Sequence, residues 1–114
     1  MQKFLVTYLA PASVIDAWKK TNPEERKAAE VKMQGEWKKW MGDHVRMFVD
    51  VGGGVGKIKR VTSAGAADAR NDVMLYAVVE SESHAAAAAS FASHPHLQIP
   101  QSSIEIMELH ALGM

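Results

Sequence analysis

The chain has 114 residues, thirteen Lys and Arg against thirteen Asp and Glu, and no cysteine. Balanced charge supplies no global field to draw it to nucleic acid or an acidic membrane, and the missing thiols exclude cysteine catalysis, thiolate metal centres and disulfides. A hydrophobic fraction of 47% and a charged fraction of 23% suit one globular domain over residues 1–114, large enough to form a core without staples.

Phe4-Leu5-Val6-Thr7-Tyr8-Leu9 predicts the first strand, closed by Pro11. Lys3, the apolar run to Ala10 and the small residues Ala10-Pro11-Ala12 mimic a secretory leader only superficially, because the segment is too short. With no apolar run long enough to span a bilayer, the expected location is cytoplasmic. Val14, Ile15 and Trp18 then mark a short helical turn before Thr21. The sharpest local signal follows: Asn22 as cap, Pro23 at the first helical position, and Glu24 and Glu25 at the positive end of the dipole. Glu25 also occupies the capping-box position. This helix is expected to run to about Met41 and stop at Gly42, with Ala29, Met33, Trp37, Trp40 and Met41 as its apolar stripe.

Val45, Met47, Val49 and Val51 alternate with Arg46, Phe48 and Asp50, which predicts a strand. Gly52 to Gly56 reads as a flexible hairpin turn, Lys57–Thr62 as an edge strand and Ser63–Asp72 as a small-residue loop. Val73–Val79 is β-branched and aromatic enough for a strand. Ser81 is read as the cap of an Ala-rich helix through Ala92, ended by Pro95, and Ser103–Leu109 as a last strand. Joined through a helix, these two strands should run parallel within one sheet.

The order β, α, β with an extra hairpin strand, β, α, β is that of an α+β, ferredoxin-like split βαβ sandwich. Its strands are apolar on both sides: Phe4, Val6 and Tyr8 oppose Leu5, Thr7 and Leu9, while Met74, Tyr76 and Val78 oppose Val73, Leu75, Ala77 and Val79. Helices on one face leave the other uncovered, so the expected assembly is a homodimer paired through its sheet faces.

Lys3-Phe4-Leu5-Val6-Thr7-Tyr8, Gly56-Lys57, and above all His94-Pro95-His96-Leu97 followed by Ile104-Glu105-Ile106-Met107-Glu108-Leu109 resemble the YCII-related proteins. These belong to the dimeric α/β-barrel superfamily, so the resemblance implies a ferredoxin-like domain that pairs its sheets into a barrel. It also implies a His–Asp pair as the chemistry to look for, in a family whose members mostly lack an assigned activity. The family tends to carry a histidine soon after the first strand, where this chain has Ala10-Pro11-Ala12-Ser13, so the dyad does not transfer to that position. The Asp-Gly-Pro-Phe motif of a related subgroup is absent too.

The candidate catalytic residues are His94 and His96, whose imidazoles flank Pro95, and the neighbouring Asp43 and His44. A His-x-His pair lacking nearby carboxylate or thiolate partners is no zinc signature, so no metal and no cofactor are assigned. Gly52–Lys57 fails as a phosphate loop, since Val51 and Ile58 stand where glycine and a hydroxyl residue are needed. Tyr8, Trp37 and Tyr76 are the candidate ligand-binding residues, in a cleft between helices and sheet. Two functions follow. One is a small-molecule-binding protein with histidine acid–base chemistry, possessing neither a nucleic-acid nor a membrane partner. The alternative is a non-catalytic ligand-sensing or protein-interaction module whose histidines are structural.

Overall fold

A computed structural model describes residues 1–113. Six strands and three helices form an α+β domain: β1 (Gln2–Leu9), α1 (Ala12–Lys19), α2 (Pro23–His44), β2 (Phe48–Gly54), β3 (Ile58–Thr62), β4 (Gly65–Ala69), β5 (Val73–Ser81), α3 (His84–Ser90) and β6 (Ser103–Glu108). The 3-10 turns Val45–Met47 and Pro95–Gln98 precede β2 and β6.

The main sheet is antiparallel with order β2-β5-β1-β6, and β3 and β4 make a separate two-stranded ribbon. β5 and β6 both pair antiparallel with β1. They therefore run in the same direction, as the helical connection predicts, with β1 between them. The period of two in β1 and β5 decides which side is covered. Phe4, Val6 and Tyr8 stand opposite Val79, Ala77 and Leu75, and this set packs beneath Trp40 of α2, Ala87 of α3 and Phe91 just after it. Leu5, Thr7 and Leu9 share the other face with Val78 and Tyr76, and Met107 and Glu105 extend that face onto β6.

Asn22 caps α2 as expected, its Oδ1 accepting from the amides of Glu24 and Glu25 at 2.9 and 3.3 Å. The helix continues through Gly42 to His44, because a glycine with ordinary helical geometry lowers helix propensity without ending the helix. Only its second half meets the core, through Trp37, Trp40 and Met41; Ala29 is exposed and Met33 only half-buried. In α3 the cap is Ser83, whose Oγ accepts from Ala86 at 3.1 Å, while Ser81 ends β5. That helix closes at Ser90, and Pro95 opens the following 3-10 turn instead of terminating α3.

Three further expectations are corrected between Val45 and Asp72. Val45–Met47 coils before the strand begins, and Phe48 rather than Val49 or Val51 packs on the core. Gly52–Gly54 belongs to β2, not to a turn. Gly52 takes φ +70°, and a β-carbon there would lie 1.7 Å from the Tyr76 carbonyl oxygen, so only glycine lets β2 approach β5 this closely. Gly65–Ala69, read as loop, is β4. The hairpin therefore turns at Ser63-Ala64, joining β3 to β4 rather than β2 to β3.

Candidate functional site

Pro95 shapes the site. It holds His94 in extended backbone geometry (φ −63°, ψ 136°) and starts the 3-10 turn that carries His96. His94 Nδ1 accepts from the His96 amide at 3.0 Å. His96 turns inward, its Nε2–H donating to the Leu9 carbonyl at 2.9 Å, and its own carbonyl accepts from Ser102 Oγ at 3.0 Å. Both imidazoles are buried, His94 at 2% exposure and His96 at 0%.

Aromatic rings wall the pair. His94 meets Trp37 edge-on with centroids 4.3 Å apart and Trp40 at 4.4 Å, and it stacks on Phe91 at 5.9 Å. Tyr8 closes the sheet side, 5.1 Å from His94 and 5.5 Å from His96. Trp37 and Trp40 are brought there by their spacing of three on α2, and Tyr8 by its place in the inward set of β1. His44 stacks on the outer side of Trp40 at 4.1 Å and donates from Nδ1–H to the Trp40 carbonyl at 2.8 Å. Phe91 also lines a surface groove of about 260 Å³ between α3 and β6, with His84, Leu97, Ile104 and Ile106.

These hydrogen bonds fix the tautomers. A His94 whose Nδ1 accepts carries its proton on Nε2; a His96 whose Nε2 donates leaves Nδ1 as an acceptor. Neither His94 Nε2–H nor His96 Nδ1 has a partner, and nor does the buried indole N–H of Trp40. Burial pushes His94 down to about 4, helped by the nearby His96 and His44. His96 is lowered too, chiefly by burial, while the backbone groups of Leu9 and Ser103 push the other way. Burial raises the Tyr8 hydroxyl to about 12. At neutral pH the cluster is thus uncharged, offering two unpaired N–H donors and one unpaired acceptor. Wholly buried polar groups are normally satisfied, so these three stand out as the unpaired polar atoms of the cluster.

Of the sequence candidates, Tyr8, Trp37, His94 and His96 converge, and His44 stands behind Trp40. Asp43 does not join them: its carboxylate pairs with Lys39 at 3.7 Å on the surface of α2, so the adjacent Asp43 and His44 form no dyad. Tyr76 does not join them either. It faces Thr7 on the uncovered side of the sheet, 37% exposed. Sequence reasoning took Trp40 as core and passed over Phe91 as a wall of the site. The Trp37/Trp40 spacing signalled the first, whereas nothing local signalled the second. The resting protonation is also corrected, since burial moves His94 and His96 away from the neutral range expected of imidazole.

Among the described residues, no group of three or more His, Asp or Glu side chains is arranged to hold a metal ion, and no helix is long and apolar enough to cross a membrane. No family model matches the chain, and no curated protein matches it.

Proposed function

We propose that the protein binds a small neutral organic molecule at the seam between α2, α3 and the sheet, gripped by His94 and His96. The observation that carries this reading is the pair of buried, uncharged imidazoles, each with one ring nitrogen tied to backbone and the other unpaired. Their unpaired atoms have opposite polarity, and the walls are aromatic. Such a lining suits a ligand with both a carbonyl and an N–H, an amide or lactam for example, better than an anion, which would find no cation there. With its pKa near 4, His94 orients and hydrogen-bonds a ligand, and the proton traffic of a general base is secondary.

The fold reading goes with it: a ferredoxin-like member of the YCII-related proteins that pairs sheet on sheet into a dimeric α/β barrel. Supporting it are the strand order β2-β5-β1-β6 and the helices packed on one face. So do the dimensions. A slab of 49 × 45 × 19 Å has a radius of gyration of 16.1 Å, where about 13 Å is usual for this length. Its accessible surface is 8116 Å², about 1,900 Å² above a compact 12.5 kDa monomer.

The test is a screen of small amides, lactams and ureas against ¹⁵N-histidine-labelled protein. The expected result is that one class shifts the His94 and His96 ring signals, and that His94→Phe and His96→Phe, each still folded, lose the binding. If no compound moves either ring signal, the histidines are structural and the module reading takes over.

A further inference from the structure

β3 and β4 form a ribbon that packs on itself and hardly touches the rest of the chain. Every residue from 59 to 68 is exposed, including Val61 at 77%. An isolated two-stranded ribbon is marginal in water, so this one calls for a surface to lie on. It springs from one margin of the main sheet, between Gly54 at the end of β2 and Val73 at the start of β5. Its charge is unbalanced: Lys57, Lys59, Arg60 and Arg70 against Asp68 and Asp72. Lys59 is paired with Asp68 and Arg70 with Asp16 of α1, which leaves Lys57 and Arg60 free of any ion pair among the described residues, and of these Arg60 lies within β3. The opposite margin, β6, has the reverse character, with Glu105 and Glu108 and no cation. Glu108 lies between His84 and His110, while Glu105, on the uncovered face opposite Thr7, is likewise unpaired among the described residues.

We infer that the β3–β4 ribbon is an arm that clasps a second copy of this chain along its β6 margin, with Arg60 set against the partner's Glu105. The inference rests on the sheet-paired dimer proposed above and adds what the sheet alone lacks. Four strands of about six paired residues present a face of roughly 400 Å², and a stable interface takes about 800 Å² per partner. The arm supplies the remainder. Charge also selects the geometry. A two-fold axis running across the strands would lay β2 on β2 and the acidic β6 on β6, leaving each arm on the margin away from the partner's acids. An axis along the strands lays the β2 margin of each copy over the acidic β6 margin of the other, and like charges are kept apart.

The test needs only dimer affinities, measured by analytical ultracentrifugation for the wild type, Arg60→Glu, Glu105→Arg and the double variant. Both positions are exposed, so the variants keep the fold. In an isologous pair each contact occurs twice, and either reversal is expected to weaken the dimer about tenfold, with the double variant restoring it. Reversals that leave a wild-type dimer unaffected, or a double variant that recovers nothing, overturn the clasp and leave the sheet pairing standing. A wild type that stays monomeric overturns both.

Discussion

His96 and Leu9 are joined across 87 positions of chain: the buried Nε2–H of one donates to the carbonyl of the other at 2.9 Å. That bond fastens the 3-10 turn before β6 to the end of β1. It also dictates that the remaining ring nitrogen is a buried acceptor, without a hydrogen-bond partner. Fold and candidate site thus share a single hydrogen bond, and most of what can be measured about the site follows from keeping this ring neutral.

Acid should unfold the protein through these rings. An unfolded histidine binds a proton near pH 6.5 and His94 only near 4, so the unfolded state holds the extra proton between those values. The contribution is complete above pH 6.5 and is lost as pH falls through the window, to a total of about 3 kcal/mol from His94, with His96 adding in the same direction. Urea midpoints taken from pH 8 down to 4 should fall steadily below 6.5, and His94→Phe should flatten the fall. A midpoint independent of pH over that range would contradict the neutral buried ring.

Base works through Tyr8. Its hydroxyl is raised to about 12 in the folded chain against about 10 when unfolded, so its contribution is full below pH 10 and is lost as pH rises toward 12. Ultraviolet titration should show a late phenolate step near pH 12, or at the pH of unfolding if that comes first, and Tyr8→Phe should remove it.

Gly52 and Gly53 make a matched pair. Gly52→Ala would push a β-carbon against the Tyr76 carbonyl at a φ of +70°, and should cost more than about 2 kcal/mol. Nothing lies within 4 Å of a β-carbon at Gly53, so Gly53→Ala should stay within about 0.5 kcal/mol. Denaturant unfolding of the two variants decides it, and equal losses would count against the β2–β5 register.

The caps offer a similar contrast. Ser83→Ala removes the acceptor of the Ala86 amide and should lower stability by about 1 kcal/mol, whereas Ser81→Ala, at the end of β5, should cost far less. A thermal melt of each is sufficient, and the opposite ranking would return the cap to Ser81.

The two faces of β1 and β5 and the Asn22 cap were legible because each depends on near neighbours in sequence: a period of two, and a side chain two or three residues from its amides. The convergence of Tyr8, Trp37, His94 and His96 was only partly legible. Each residue was conspicuous by type, yet Tyr76 was equally conspicuous and stands on the other side of the sheet, a matter of parity within its strand. β4 carried no signal because Gly65-Ala66-Ala67-Asp68-Ala69 has poor strand propensity and is held by pairing with β3 alone. The depressed histidines could not be read at all, since desolvation belongs to the packed state and not to the residue.

The central position of β1 also has a consequence for biosynthesis. Both of its ladder partners, β5 and β6, come from the last third of the sequence, with Gln2 opposite Ser81 and Phe4 opposite Glu108. Contacts of such long sequence separation form slowly. During translation β1 is made before either partner strand and waits with both edges bare, exposing Phe4, Val6 and Tyr8 until β5 has been made. The time the nascent chain spends in that state is set by the rate of elongation through α2 and the β3–β4 ribbon.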